Sequence, residues 1–388
     1  MRNVKISYIL AFLFESWFWF GIWIFYYLRL TDFAGVGLAE AVMISTRLIA
    51  EIPTGAIADL IGKKKTLFLA FATSALGNLL MGLAPNYLLL LISIFVGQLA
   101  SSFYSGTHEA MLYDSLKEEG KENLFSKVVA NNRSITLIAH AVAGIIGGYF
   151  YVVNPSLPFY AMALLCFLGV FLVFFLREPA IDTYKFNFEN FVRQTKQGFH
   201  QLFSAGLKPY LTILLGVGFF IVIMYEIMDD SLAVGYGFQP TQLAYLWATV
   251  SILAAIISQS TPQLMNLLSP KKGILLLSFG MGLLLLLSPV KGLLLGGLLL
   301  TGRIMLQVIF KNFSVVIVNQ NIQSKFRATA ISSMVMITNI PYVFIAFFIG
   351  DSIDKIGAQQ VAVWMGIGML LVSTAYVINR LVFVKNRA

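Results

Sequence analysis

The chain has 388 residues, of which 58% are hydrophobic and only 12% charged. This hydrophobic fraction exceeds that of a typical water-soluble domain, and the mean hydropathy is high, at +0.81. The composition therefore excludes a soluble globular protein and indicates a bilayer protein. The net charge of +9 is explained by contact with anionic lipid headgroups, and no nucleic-acid partner is needed to account for it.

Apolar runs of about 20 residues, the length that crosses a hydrocarbon core, recur along the whole chain. The first is too long for a cleavable signal peptide and no small-residue cleavage site follows it, so we expect it to remain as span 1. Twelve spans are predicted, at 6–28, 36–58, 66–84, 87–113, 128–152, 157–176, 209–233, 241–265, 273–289, 292–318, 327–349 and 358–383. The predicted class is an all-α integral membrane protein.

The positions of Lys and Arg predict the orientation, because short cytoplasmic loops are enriched in them. With both termini in the cytoplasm, twenty of the 27 basic residues fall on the cytoplasmic side. Only Arg29, Lys291 and Lys355 fall on the other side. A multi-pass protein with both ends inside is therefore expected.

One long connection divides the spans six plus six. It predicts an N-terminal six-helix bundle over 1–176, a cytoplasmic linker over 177–208 and a C-terminal six-helix bundle over 209–388. Within the linker, apolar residues recur at three-to-four spacing and alternate with Arg193, Lys196 and His200, which indicates an interfacial helix. The apolar residues are Phe188, Phe191, Val192, Phe199, Leu202 and Phe203.

The two halves resemble each other at an offset of 207 residues. The segment "GAIADLIGKKK" after span 2 has a counterpart in "PQLMNLLSPKK" after span 8, which aligns Asp59 with Asn266. The same offset aligns Asp114 with Asn321. The first half keeps a charge at both positions and the second half has lost it.

The segment "GAIADLIGKKKTL" resembles the loop signature Gly-x-x-x-Asp-Arg-x-Gly-Arg-Lys of the major facilitator superfamily, with Leu60 and Lys63 in its two Arg positions. "EIPTGAIAD" and "SGTHEAMLYDSL" further resemble a bacterial branch often labelled as drug efflux. The resemblance implies twelve helices in two six-helix halves. It also implies a monomer in the bacterial cytoplasmic membrane that moves a small molecule by alternating access.

The resemblance also implies a conformational latch on the cytoplasmic side. In the family, the Asp of the signature, the basic residue four positions on and an acidic residue ending span 4 hold the start of span 11. By motif match these are Asp59, Lys63 and Asp114, with the start of span 11 near Arg327. We expect this latch to act on conformation rather than to bind substrate.

Several charged residues lie inside predicted spans, where an ionisable group costs at least about 2.5 to 3.5 kcal/mol and needs a partner, water or a function. The resemblance implies that spans 1, 4, 7 and 10 line the central cavity. The candidates for substrate binding and proton coupling are Glu15, Arg47, Glu51, Glu226 and Arg303.

Arg47 and Glu51 are four residues apart, so they share one face of span 2. One interpretation is a mutual ion pair that makes their burial tolerable and has only a structural role. The other is that Glu51 exchanges a proton and that Arg47 responds to its charge.

Other polar residues in the spans are open to structural interpretations. His140 on span 5 stands alone in sequence, which favours a packing role with a hydrogen bond. Asp229 and Asp230 are interpreted as the extracellular end of span 7, and Arg303 could pair with Glu226 across the cavity.

The sequence favours proton-coupled export of an amphipathic or drug-like compound. The segment "AGIIGG" at Ala143 departs from the Gly-Pro-x-x-Gly-Gly motif usual in drug antiporters, which keeps open a second function. That alternative is uptake or export of an organic anion or metabolite, with Arg47 and Arg303 as the cationic ligands. A receptor built on a transporter fold is a third possibility.

An enzyme is not expected, because three histidines and one cysteine supply neither a nucleophile-base pair nor a metal cluster. The sequence contains no nucleotide-binding Gly-Lys-Ser/Thr loop, so no cofactor is predicted and the energy is expected to come from an ion or substrate gradient. The expected partners are a small-molecule substrate, protons and membrane lipid.

Overall fold

The computed structural model describes residues 1–180, 188–204, 206–322 and 327–385. Within these ranges the chain forms seventeen α-helices, and none of the described residues lies in a strand. The helices are α1 (Arg2–Phe14), α2 (Trp23–Tyr27), α3 (Phe33–Ile61), α4 (Lys63–Gly82), α5 (Tyr87–Tyr104), α6 (Thr107–Glu118), α7 (Phe125–Val153), α8 (Leu157–Val173), α9 (Phe188–Leu202), α10 (Leu211–Ile223), α11 (Asp229–Gly235), α12 (Pro240–Gln259), α13 (Thr261–Leu267), α14 (Pro270–Leu286), α15 (Leu293–Asn321), α16 (Arg327–Ile356) and α17 (Ala358–Lys385).

The predicted all-α membrane class is confirmed, because each of the twelve predicted spans coincides with one or two of these helices. In the described part of the chain, eight helical segments are long and apolar enough to cross a bilayer. The number rises to nine if α13 and α14, which meet at a bend of 111°, count as one broken span. The apolar helix α8 is shorter, at 17 residues.

Span 1 is not the continuous helix predicted over 6–28. Helix α1 ends at Phe14 and α2 begins only at Trp23, and the residues between them form turns. The Ser16 hydroxyl donates to the Phe12 carbonyl, Trp17 N–H donates to the Glu15 carbonyl at 2.9 Å, and Gly21 has a φ of 85°. These turn contacts replace the helical hydrogen bonds, and we call residues 15–22 the helix break.

The described helices form two compact units, each of which includes a short segment of the opposite half of the sequence. Unit 1 comprises Met1–Thr31, Val42–Asn187 and Pro240–Ala248. Unit 2 comprises Asp32–Ala41, Phe188–Gln239 and Thr249–Ala388. The predicted halves, with boundaries at 176 and 209, remain a prediction.

The core of unit 1 is aromatic and lies where α1, α4, α5 and α8 pack together. Phe14 stacks on Tyr104 with ring centroids 3.8 Å apart, and Phe71 meets Phe14 edge to face. Cys166 is fully buried beside them and contacts the Ser74 hydroxyl at 3.2 Å. This packing holds the end of α1, and with it the start of the helix break, against rigid neighbours.

In unit 2, α10 continues into α11 through a short π-helix, Met224–Met228. A π-helical turn widens the helix by one residue per turn, and such bulges occur frequently at functional sites. This turn contains Glu226 and leads directly into Asp229 and Asp230, all three of which are buried. The irregularity therefore lies in the acidic segment of span 7.

The segment predicted to hold an interfacial helix contains α9, which packs against α16 within unit 2, and its interfacial position remains a prediction. Its apolar Val192 and Phe199 and its basic Arg193 and Lys196 are all exposed. An exposed helix with these two kinds of side chain suits the boundary between lipid tails and headgroups.

Candidate functional site

The helix break in unit 1 brings Glu15 together with His140. Helix α7 carries His140, whose Nε2 lies 3.1 Å from Oε2 of Glu15. The side chains of His140 and Glu15 are 21% and 18% exposed, so protein does not fully enclose either of them. The sequence interpretation of His140 as a lone packing residue is therefore replaced by a contact with an ionisable partner.

Aromatic rings surround this pair. The indole of Trp17 lies with its centroid 4.3 Å from that of the His140 imidazole, and Phe20 stacks on the same imidazole at 6.1 Å. Trp17 is itself stacked on Trp19 at 4.9 Å. The rings of the helix break thus lie beside the contact between Glu15 and His140.

Glycines of α7 make room for the helix break. A Cβ added to Gly147 would collide with the carbonyl of Phe18, and one added to Gly144 would contact Phe20. Both glycines belong to "AGIIGG", the segment that departs from the drug-antiporter motif. Their role in this chain is to let α7 approach non-helical backbone closely.

Unit 2 holds a second charged cluster, centred on Arg303 of α15. Its guanidinium donates to Asp229 Oδ1 in an ion pair and to Gln307 Oε1 at 2.6 Å. Arg303 and Asp229 are 2% and 6% exposed. Asp229, which the sequence interpreted as the extracellular end of span 7, is thus a buried partner of Arg303.

Lys311 completes this cluster and was missed by the sequence analysis. Its ammonium lies 5.3 Å from the ring centroid of Tyr225, and it interacts electrostatically with Asp229, Arg303 and Glu226. It follows Arg303 and Gln307 at intervals of four residues, so the polar stripe on α15 was a usable signal. Because Lys311 and Tyr225 are exposed, one side of the cluster is not covered by the protein.

A small cavity adjoins Arg303. Its lining is Leu232, Tyr236, Leu284, Leu285, Ser288, Leu299, Leu300 and Arg303. It holds about one water molecule, too little for an organic substrate. The Nε atom of Arg303 is buried and has no hydrogen-bond partner, and such an atom suits an ordered water.

Arg47 and Glu51 do not form the predicted pair. Both side chains on α3 are exposed, and the ion pairs of the described residues include none between these two. Exposure of both side chains removes the burial cost that the pair was expected to offset. Their part in substrate or proton binding stays a prediction.

Two of the three latch residues meet in unit 1. Lys63 Nζ lies 2.9 Å from Asp114 Oδ2, with the aspartate almost fully buried. The side chains of Asp59 and Arg327 lie outside the described residues. The structure adds Glu178, whose two carboxylate oxygens accept the backbone N–H groups of Lys63 and Lys64 at 2.7 Å each.

Metal binding has no support in the described part of the chain, where no three His, Cys, Asp or Glu residues group together as metal ligands would. Both clusters are instead built from charged and aromatic side chains on the first helices of the two predicted halves and on α7 and α15. Their chemistry is that of binding ions, protons or a charged small molecule.

Charged side chains inside apolar helices commonly mark ion or substrate pathways, and the family comparison identifies the class of protein. The sequence profile of the Major Facilitator Superfamily matches residues 6–310, and the chain belongs to this family. It is therefore a membrane transporter, and the resemblance read from "GAIADLIGKKKTL" is confirmed. An MFS-type transporter of Bacillus subtilis strain 168, YxaM, is 23% identical over 244 residues, which are 61% of this chain and 59% of YxaM.

Solved structures share the fold across nearly the whole chain. The nucleoside transporter NupG has a TM-score of 0.80 at 14% identity, covering 97% of this chain and 98% of its own. A bacterial homologue of the human lysosomal transporter Spinster, in an inward-facing and unoccupied conformation, has a TM-score of 0.73 at 13% identity and covers 99% and 96%. A peptide-binding POT family transporter has a TM-score of 0.72 at 12% identity and covers 97% and 96%. At these identities the likeness concerns the fold alone.

Proposed function

We propose that this transporter exports an amphipathic or drug-like compound in exchange for protons. The observation that carries the proposal is the contact between Glu15 and His140 in the helix break. Non-helical backbone at membrane depth is tolerated only where protein buries it or a water-filled cavity borders it. The partial exposure of both side chains favours a bordering cavity.

A carboxylate and an imidazole in contact can change charge with one proton. Imidazole gains or loses its proton between about pH 5 and pH 8, and ionisable residues inside spans commonly mark proton relays. Glu15 was predicted as a coupling residue from its place inside span 1, and His140 is a second ionisable group in contact with it. Glu51 and Glu226 remain further candidates for coupling.

Export and the substrate class rest on the resemblance of "EIPTGAIAD" and "SGTHEAMLYDSL" to a drug-efflux branch. The aromatic rings around His140 support an amphipathic substrate, because such rings bind apolar and cationic groups alike. The sequence has no nucleotide-binding loop, which supports a gradient as the energy source.

Transport in proteoliposomes tests this function. Ethidium movement should follow an imposed proton gradient for the wild-type protein and stop following it for Glu15→Gln. The matched control is Glu122→Gln, which neutralises an exposed carboxylate in the turn before α7 and should leave transport unchanged. Wild-type transport that ignores the gradient would refute proton coupling.

Transport of an organic anion is the second candidate, and Lys311 is the observation that favours it. Arg303, which the sequence proposed as a cationic ligand for the anion, is already paired with Asp229. Lys311 presents an ammonium on an exposed face of α15. If this function holds, Lys311→Gln should abolish binding of an organic carboxylate, while Lys355→Gln, at an exposed site on α16, should not.

A further inference from the structure

We propose that α9 binds an anionic phospholipid of the cytoplasmic leaflet, with the lipid phosphate at Arg193 and Lys196 and the acyl chains beside Val192, Phe199 and Phe203. These residues lie outside both charged clusters, and the proposal does not depend on which compound is transported. It includes the interfacial position that the sequence predicts for this helix and adds a ligand to it.

Three exposed apolar side chains form a strip along α9 and the residue that follows it. At about 100° per residue, Val192, Phe199 and Phe203 fall within about 40° of each other around the helix axis. Each is about half exposed, and the rings of Phe199 and Phe203 have centroids 5.5 Å apart. Acyl chains are a more favourable environment than water for such an aromatic pair.

A basic strip lies directly beside the apolar strip. Lys196, His200 and Arg193 fall within about 60° of each other around the axis, and all three are exposed. Beyond the other edge of the apolar strip, Leu202 is fully buried. Among the described side chains, buried, apolar and basic residues thus follow one another around the helix. This order suits a helix that has protein on one side, acyl chains on the next and phosphate groups on the third.

The charges of the basic strip favour an anion. Arg193 and Lys196 are three residues apart, about 4.5 Å along the axis, so one phosphate can contact both. His200 follows Lys196 by one turn, and an imidazole carries at least one N–H donor in either charge state. The exposed Glu189 lies in the first turn of α9, about 10 Å along the axis from Lys196, where it suits the positive end of the helix.

The apolar strip distinguishes a lipid from a soluble anion. A free phosphate ester would use the basic strip alone and leave Phe199 and Phe203 in water. A phospholipid uses both strips, because its acyl chains begin close to its phosphate, and basic residues near the cytoplasmic leaflet attract anionic lipids. Since α9 packs against α16, the lipid would be held beside a helix that is long and apolar enough to cross the bilayer.

Quenching of a fluorophore on α9 tests this site in the full-length protein. Gln197→Cys introduces one reactive thiol next to the basic strip, because Gln197 is exposed and the thiol of Cys166 is buried. Bimane on the new thiol is measured in phosphatidylcholine vesicles that contain equal small fractions of nitroxide-labelled phosphatidylglycerol or nitroxide-labelled phosphatidylcholine. Phosphatidylglycerol should quench with an apparent affinity at least about threefold higher, as expected for two basic side chains near one phosphate.

Variants in this background assign the preference to the basic strip. Arg193→Gln combined with Lys196→Gln should abolish the preference for phosphatidylglycerol, whereas Arg193→Lys combined with Lys196→Arg should keep it. The matched control is Lys271→Gln combined with Lys272→Gln, which removes two exposed positive charges from the start of α14 and should also keep the preference. Added glycerol 3-phosphate should leave the preference unchanged, because it lacks acyl chains.

Equal quenching by the two lipids would overturn the proposal. A preference that survives Arg193→Gln combined with Lys196→Gln would also overturn it, since the preference would then reflect the net charge of the protein. If that double variant does not fold, Lys196→Gln alone decides, and it should lower the preference by at least about half. Loss of the preference in glycerol 3-phosphate would show that soluble phosphate is sufficient. Phe199→Asn should weaken quenching by both lipids, and unchanged quenching would contradict the part assigned to the apolar strip.

Discussion

Arg303 and Asp229 show how much a single buried charge depends on its partner. Both side chains are almost inaccessible to water, and the guanidinium is shared between Asp229 and Gln307. Removing one member of such a pair leaves an uncompensated charge, which costs about 3–5 kcal/mol, whereas removing both costs much less.

We therefore expect Arg303→Gln and Asp229→Asn each to lower the unfolding temperature of the detergent-solubilised protein strongly. The double variant should recover part of the loss, because no orphan charge remains. Asp351→Asn, which removes the half-buried partner of the exposed Lys355, is the control and should change stability by less than about 1 kcal/mol. Losses that simply add in the double variant would mean that the two residues act independently.

Sequence analysis selected Glu15 and Arg303 as charges inside predicted spans but could not identify their partners. His140 is 125 residues from Glu15, and Asp229 is 74 residues from Arg303. Periodicity reports which residues share a helix face, and it carries no information on which faces meet. The same limit explains why His140 was assigned to packing.

At the scale of helices, the contact of α7 with the helix break depends on a missing side chain. The carbonyl of Phe18 lies where the Cβ of any other residue at position 147 would be. Backbone cannot move aside as a flexible side chain can, so the two segments would have to separate.

Gly147→Ala should therefore destabilise the protein and impair transport. Gly97→Ala makes the same change inside α5, where an added Cβ meets no atom within 4 Å. That control should be neutral or stabilising by up to about 1 kcal/mol, as expected for glycine replacement inside a helix. Thermal unfolding and ethidium transport measure both effects, and equal behaviour of the two variants would contradict the proposed contact.

The start of α3 in unit 2 is held by a carboxylate from α16. Asp354 accepts the backbone N–H groups of Phe33 and Ala34 at 3.1 and 2.8 Å, and Asp32 Oδ1 accepts that of Gly35 at 2.9 Å. A carboxylate at a helix N-terminus satisfies free donors and suits the helix dipole.

Asp354→Ala should weaken this end of α3 by about 1 kcal/mol, a moderate value because the carboxylate is exposed. Hydrogen–deuterium exchange should quicken at the first residues of α3 and stay unchanged at α17. Ser352→Ala on the same helix is the control, since its hydroxyl donates only to the Phe348 carbonyl. Unchanged exchange in Asp354→Ala would show that the cap contributes nothing to the helix end.

The helices themselves followed from the sequence, whereas the helix break did not. Hydropathy is continuous across 6–28, because Trp, Phe and Ile surround Glu15 and Ser16. What ends α1 is a set of local turn hydrogen bonds and the close approach of Gly147. Only the turn could have been predicted from the sequence, because Glu15 and Ser16 are polar and Gly21 follows them.

For the whole molecule, we propose that the latch residues act on the balance between conformations rather than on binding. Lys63 and Asp114 are paired, and Glu178 fixes the backbone at the start of α4 beside them. If the ligand site is intact but the balance between conformations is wrong, the protein binds its ligand nearly normally and transports it poorly.

Asp114→Asn and Asp59→Asn should thus reduce ethidium transport while leaving the equilibrium binding of ethidium within a few-fold of wild type. Asn266→Ala, at the position that aligns with Asp59 in the second half, is the comparison and should have the smaller effect. Normal transport in Asp59→Asn and Asp114→Asn would mean that the latch carried over from the family does not operate in this chain.

The internal repeat extends beyond the loop motifs. The offset of 207 residues maps the helix break at 15–22 onto 222–229, which contains the π-helix Met224–Met228. Both halves thus depart from regular α-helix at the same place in their first span. The first half is interrupted by turns and the second half has a widened helical turn, and each irregular segment contains at least one carboxylate.

The short α1 has a consequence for biosynthesis. Its 13 residues reach about 20 Å, less than the roughly 30 Å of a hydrocarbon core. The turns that follow hold backbone carbonyls, including that of Phe18, which are costly in lipid until protein covers them. Gly147 of α7 provides this cover, and α7 forms the fifth predicted span, which is synthesised after the first four. The first span is therefore not an independent insertion unit, and its final shape has to await the fifth.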